Sequence, residues 1–175
     1  MSIITLSTRH GDFKIRLLID EAPHTCHYFS NLVETGALSA AKIFRVVTSE
    51  NNQYEAEYPI HIIQLGPSDK IELASLEQDK VPHESTSDSG LTHKKWSVSA
   101  ARFEAGFLYK NLFICMRDEP ELDAAGLRNA DGKGFAVFGE ISAGFDVLEH
   151  IFSLAETDEI LTTPIDIRAA TITKN

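Results

Sequence analysis

The sequence predicts a mainly β fold: a closed or nearly closed antiparallel β-barrel of about eight strands capped by two α-helices. Three observations lead to it. Short runs rich in β-branched and aromatic residues recur along the chain, as SIITLST, FKIRLLI, KIFRVV, PIHIIQLG, WSVSAA, NLFICM, FAVFGEI and IDIRAATIT. Only two stretches carry apolar residues at helical spacing, too few to wind parallel strands through βαβ units. A length of 175 residues suits one unit able to bury a core without disulfide or metal staples, so residues 1–175 are read as a single domain.

In chain order, residues 3–19 form a predicted hairpin. Gly11 lies in the turn, and Phe13, Ile15, Leu17 and Ile19 alternate onto one face. A helix follows, with Asp20 placed to cap it, Pro23 in its first turn and Gly36 at its stop. Ala22, Cys26, Phe29, Leu32 and Val33 supply its apolar stripe. KIFRVV and PIHIIQLG are the next strands, separated by a polar insertion at 48–58. The segment 67–95 then reads as a long loop rich in Ser, Asp, Glu and His, and loops of that length inside a domain carry function or vary freely. Strands at 96–101, 111–116 and 135–141 precede a helix over about 143–152, where Phe145, Leu148, Ile151 and Phe152 share a side. A final strand spans 165–173.

Composition excludes several functions. Lys and Arg number 16 against 26 Asp and Glu, a formal charge of −10, which argues against nucleic acid as a partner because phosphate binding needs basic residues to displace counterions. No apolar run is long enough to cross a bilayer, so no membrane partner is expected. The first residues lack the basic start and apolar core of a secretory signal, which makes the cytoplasm the expected location. Cys26 and Cys115 have neither metal-ligand spacing nor a disulfide framework and read as buried thiols. His83 and Glu84 are adjacent but lack further ligands at regular spacing, so no metal is assigned, and no G-x-S-x-G element points to a hydrolase.

The informative anomaly lies in KIFRVV and PIHIIQLG. Each run is apolar enough for a buried strand, yet each holds one large polar side chain, Arg45 and Gln64. Side by side, a guanidinium and an amide would aim donors and an acceptor across one apolar surface, a site suited to a neutral ligand rich in carbonyls. The alternative is that Arg45 snorkels from a strand edge or pairs with an acid, and that Gln64 satisfies the backbone.

The order of elements and the residues in them resemble the cyclophilin-type peptidyl-prolyl isomerases. APHTCHYFSNLV resembles that family's A-P-x-T-x-x-N-F region, IFRVV its F-H-R-V segment and IIQLG its Q-G-G segment. SVSAAR resembles its S-M-A-R strand, NLFIC its Q-F-F-I, and GFAVFGEISAGFDVLEHI its closing strand, turn and helix. PELDAAGLRNADGKGFAVFG, with PHESTSDSGL upstream, resembles a bacterial subgroup. The resemblance implies a catalyst of rotation about the peptide bond before proline, acting in protein folding on proline-containing polypeptides, without cofactor or metal, and a monomer is expected. Arg45 falls on the catalytic arginine and Gln64 on the substrate-orienting glutamine. Phe113, Leu122 and Ile62 fall on the walls of the proline pocket. Ala101, Arg102 and Asn111 fall on the stretch that binds the peptide backbone, and Phe135 on a position that holds His, Tyr or another aromatic.

Departures from the family pattern cluster in the same region. His61 stands where a phenylalanine floors the proline pocket, either as a polar pocket residue or as a strand histidine whose ring simply packs. Leu65 replaces a glycine after the glutamine, Phe44 the histidine before the arginine, Leu112 a phenylalanine and Asn111 a longer glutamine. Glu121 replaces a rim aromatic, which implies weak or no binding of cyclosporin-like macrocycles. These changes leave two readings besides a small-ligand carrier: an active isomerase, or a catalytically weak cyclophilin-like domain that binds proline-containing peptides.

Overall fold

The structure is a computed structural model that describes residues 1–52, 57–67 and 77–174; positions 53–56 of the polar insertion and 68–76 of the long loop lie outside the described residues. Its strands are β1 (Ser2–Thr8), β2 (Gly11–Leu17), β3 (Lys42–Val47), β4 (Ile62–Gly66), β5 (Asp79–Lys80), β6 (Ser97–Arg102), β7 (Phe107–Cys115), β8 (Ala136–Ala143), β9 (Ile160–Asp166) and β10 (Ala169–Lys174). They form one antiparallel sheet in the order β10-β1-β2-β8-β6-β7-β4-β3-β9, with β5 beside β7. The edge strands β9 and β10 are consecutive in the chain and joined through Ile167 and Arg168 alone. The sheet therefore curls into a half-barrel whose edges meet at a corner.

That corner revises the expected final strand. The run 165–173 reads as one strand, but its backbone serves two partners: Ile167 donates to Ala41 O at 2.9 Å and Arg168 to Ser7 O at 2.8 Å. The chain leaves β3 and joins β1 within two residues, which splits the run and, with the short β5, raises the expected eight strands to ten.

Two helices longer than one turn cover the sheet, α1 (Pro23–Glu34) and α3 (Phe145–Phe152); between them in sequence, α2 (Thr86–Ser89) is a single turn. The predicted stripe of α1 is buried. Phe29 stacks on Phe138 of β8 with ring centroids 4.3 Å apart and planes at 2°. Its predicted cap is not used: Ala22 occupies the N-cap position, and Glu84 arrives from the long loop instead. The Glu84 carboxylate accepts from His24 N and Thr25 N at 2.9 Å each and from Thr25 Oγ1 at 2.7 Å. Gly36 follows the helix at φ +78°, as a left-handed stop requires. Ile19 lies beyond β2 and is exposed rather than on the buried face of Phe13, Ile15 and Leu17. Both cysteines are buried free thiols, and burial pushes Cys26 up to about 12.

Buried apolar residues fall into two clusters on opposite faces of the same strands. The larger fills the barrel and includes Ile43, Val46, Ile63, Leu65, Val98, Ala100, Leu112 and Ile114. The smaller lies on the other face of β3, β4, β6 and β7, formed by Val47, Ile60, Ile62, Ala101, Phe113, Cys115 and Leu122, with Tyr109 and Phe135 packed against it. Among the described residues no helix is long and apolar enough to cross a membrane.

Candidate active site

A bulge in β3 creates the site. Ile43 pairs with Leu65 and Arg45 with Gln64, so β3 spends one residue more than β4 over this interval. The extra residue, Phe44, flips the alternation. Ile43 enters the barrel core, while Arg45 emerges on the face of Val47, beside the smaller cluster. On β4 no flip is needed, since Ile62 and Gln64 share that face while Ile63 and Leu65 enter the core. Leu65, which on sequence brings bulk to a close approach, places its side chain in the barrel interior. The close approach belongs to Gly66, where an added Cβ would sit 1.6 Å from Asn111 Oδ1.

Directly opposite in register, Arg45 and Gln64 touch: Arg45 Nη1 donates to Gln64 Oε1 at 3.0 Å. The contact continues in both directions. Arg45 Nε donates to Glu159 Oε2 at 2.9 Å, and Nη2 lies 2.7 Å from the same oxygen. The carboxylate of Glu159 is fully buried, and the Arg45 side chain keeps 16% exposure. At the other end Gln64 Nε2 donates to Tyr109 Oη at 3.3 Å, and Tyr109 is stacked on Phe103 at 4.3 Å with planes 11° apart. Because Oε1 faces the guanidinium, the amide can turn only one way, with its nitrogen toward Tyr109. Burial raises the Tyr109 hydroxyl above its ordinary value, so it enters the network protonated.

Beside this chain lies the smaller apolar cluster. Phe113 and Phe135 meet edge to face at 5.3 Å and 89°, and Ile62, Ala101 and Leu122 lie in the same cluster. Behind Phe113 stands a buried relay. His93 packs nearly parallel to it at 6.0 Å and edge-on to Phe135 at 6.5 Å. His93 Nδ1 lies 2.6 Å from Asp123 Oδ1 and Nε2 lies 3.0 Å from Ser99 Oγ, which itself donates to Ala136 O at 2.9 Å. Burial lowers the His93 pKa despite the neighbouring carboxylate. The order Ser-His-Asp resembles a hydrolytic triad, but Ser99 is fully buried, so the relay braces the Phe113 wall and cannot meet a substrate.

Three further sequence-predicted residues lie outside the smaller cluster. His61 precedes β4 and is not part of the smaller cluster. Its ring packs 5.9 Å from Phe152 and 3.5 Å from Ser49 Oγ, in a separate cleft that also includes Thr48, Asn51 and Glu156. Ile60 supplies the apolar contact instead, buried in the smaller cluster, because positions 60, 62 and 64 share one face. Arg102 does not offer its side chain to a ligand. It donates to Asp131 through Nη1 at 2.8 Å and Nη2 at 3.0 Å and to Gly134 O through Nε at 2.7 Å, clamping the loop before β8, with its guanidinium 5.1 Å over Phe135. Asn111 is buried against Gly66, and its Oδ1 accepts no hydrogen bond from a described residue.

Glu159, Tyr109, Ile60 and His93 are absent from the sequence reading. Glu159 lies in an ordinary acidic turn, Tyr109 in a run flanked by glycine and charge, and His93 in a Lys-rich stretch. Each acquires its meaning only from strand pairing over long separations. His83 and Glu84 likewise serve the fold: His83 Nε2 lies 3.1 Å from Lys133 O, and Glu84 caps α1.

On this face of the sheet a chain of Arg45, Gln64 and Tyr109 side chains stands beside an apolar cluster. The sequence model of one family, cyclophilin type peptidyl-prolyl cis-trans isomerase/CLD, matches residues 3–172. The chain is 26% identical over 154 residues to peptidyl-prolyl cis-trans isomerase B of Escherichia coli (strain K12), covering 87% of this chain and 85% of that protein. Its fold is shared by a cyclophilin type peptidyl-prolyl cis-trans isomerase of Cryptosporidium parvum, crystallised with and without the dipeptide Ala-Pro. The TM-scores are 0.75 and 0.76 at 17% identity, over 99% of this chain and 99% and 98% of those chains. The protein belongs to the cyclophilin-type peptidyl-prolyl cis-trans isomerase family.

Proposed function

We propose that Arg45 is the residue that lowers the barrier to rotation about X-Pro bonds, with Gln64 orienting it and the substrate. The uncatalysed barrier of about 18–20 kcal/mol comes from amide resonance, which is broken at the twisted midpoint. There the prolyl nitrogen pyramidalises and regains a lone pair, so a donor over it binds the midpoint more tightly than either planar form. The observation that carries the reading is the hydrogen count on Arg45. A guanidinium has five N–H groups. Nε donates to Glu159, Nη1 spends one hydrogen on Gln64 and Nη2 lies 2.7 Å from Glu159, so each terminal nitrogen keeps at least one N–H that no described residue takes. Those two form a fork that can reach a prolyl nitrogen and a flanking carbonyl together.

The pocket of Ile60, Ile62, Phe113, Leu122 and Phe135 holds the proline ring by apolar contact, and Ala101 borders it. The substrates in this reading are exposed X-Pro bonds of unfolded or partly folded polypeptides in the cytoplasm, where isomerisation limits folding. The catalyst is a monomer of one domain, spanning 1–175, that needs no cofactor. Cyclosporin-like macrocycles bind weakly, because Glu121 at the rim offers no aromatic surface and its carboxylate accepts from Leu127 N at 2.8 Å.

NMR exchange spectroscopy on a short Ala-Pro peptide tests the activity. The protein at substoichiometric amounts accelerates cis/trans exchange well above buffer. Peptide binding with no change in exchange would leave a binding domain in place of an enzyme.

A further inference from the structure

The charge on Arg45 is paired with that of Glu159. Its side chain is mostly buried, and a cation in that position without a counterion would be strongly disfavoured. Glu159 supplies the counterion from a fixed place. Its backbone carbonyl accepts from Val46 N at 2.9 Å, which ties it to the strand that bears Arg45, and Ile160 follows directly opposite Arg45 in the β3–β9 register. The turn before it is held as well. Asn51 Nδ2 donates to Val46 O at 3.0 Å and to Glu156 O at 2.9 Å, linking β3 to the approach of β9. One carboxylate oxygen then takes both Nε and Nη2. Contacts on two nitrogens fix the rotation of the guanidinium plane, and Gln64 on Nη1 fixes its tilt. Each terminal nitrogen keeps at least one N–H that no described residue takes.

We propose that Glu159 is a positioning residue of the isomerase site. It sets the plane of the Arg45 guanidinium, so that the two remaining N–H groups meet the prolyl nitrogen and its neighbouring carbonyl without reorganisation. Neutralising part of the positive charge weakens each donor, and orientation outweighs that loss because a misplacement of about 1 Å can cost on the order of 10²-fold in rate. This rests on the reading of Arg45 as the catalytic donor. Glu159 acts through Arg45 and does not touch substrate.

The test is a double-mutant cycle read by NMR exchange and by peptide affinity on the full chain. Glu159→Gln retains an acceptor of the same shape and folds with the least disturbance; it should lower the catalysed exchange rate about ten-fold with peptide affinity unchanged. Glu159→Ala should lose on the order of 10²-fold. Combined with Arg45→Ala, either change should add less than about two-fold to the loss from Arg45→Ala alone, since residues acting as a unit are not additive. Additive losses, a parallel loss of affinity, or a Glu159→Gln variant as fast as or faster than wild type would overturn the positioning role. If Arg45→Ala alone keeps full activity, the catalytic reading of Arg45 fails, and the role of Glu159 falls with it.

Discussion

Replacing His61 by phenylalanine should leave turnover on Ala-Pro peptides within about two-fold of wild type, as for a substitution away from the reacting groups. The ring packs against Phe152 and Ser49, and its buried Nδ1 lies 3.7 Å from Glu119 Oε1 with no hydrogen-bond partner among the described residues. A gain above ten-fold would return the side chain to the pocket floor. Ile60→Ala should instead raise the KM, because it removes part of the apolar wall. Arg45 shows why single residues were unevenly legible. A large polar residue in a β-branched run stands out in a sequence, and Arg45 pairs with the buried acid Glu159 and with Gln64 opposite it. Its partners were not legible. Glu159 is 114 positions from Arg45 and Tyr109 is 45 from Gln64, and neither residue type is unusual where it occurs.

At the scale of elements, alternation decided most placements, and bulges decided the rest. The strands around Phe113, Phe138 and Gln64 follow from β-branched runs alone. The facing of Arg45 does not, because it depends on the extra residue at Phe44. Caps were harder still. Asp20 has the right chemistry and position to cap α1, yet the carboxylate that does so comes from Glu84, about sixty positions downstream. Glu84→Ala should lower unfolding free energy by about 1–2 kcal/mol in urea titration, the cost of a lost helix cap. Its effect on turnover should be small, since α1 packs on the barrel core and not on the site face. An unchanged midpoint would show that solvent satisfies those amides equally well.

Across the whole molecule, two contacts tie stability to pH, one at the buried His93 and one at the exposed carboxylate of Asp131. Burial holds the His93 pKa below its ordinary value of about 6.5, so the unfolded chain gains a proton that the folded chain resists. Stability from this site is complete above about pH 6.5 and declines as pH falls below it. Arg102 holds Asp131 down at about 2, so that contribution is present above the ordinary carboxylate value of about 4 and is lost as pH falls toward 2. Urea unfolding from pH 8 to 3 should therefore show a slope beginning near neutrality that His93→Gln flattens. A slope identical in the variant would assign the loss elsewhere. The antiparallel half-barrel was legible because so many runs were strand-like. The corner at Ile167–Arg168 was not, because an uninterrupted β-rich run gives no local sign that its hydrogen bonds change partners.

The central claim is that Arg45 binds the twisted amide better than the planar one. Arg45→Ala separates the two states directly when peptide affinity and exchange catalysis are measured on the same sample. The catalysed rate should fall by roughly 10²- to 10³-fold, as for loss of a preorganised donor, while the dissociation constant for an Ala-Pro peptide should change by less than about three-fold. A variant that loses affinity and rate in equal proportion, or that keeps its rate, would contradict it.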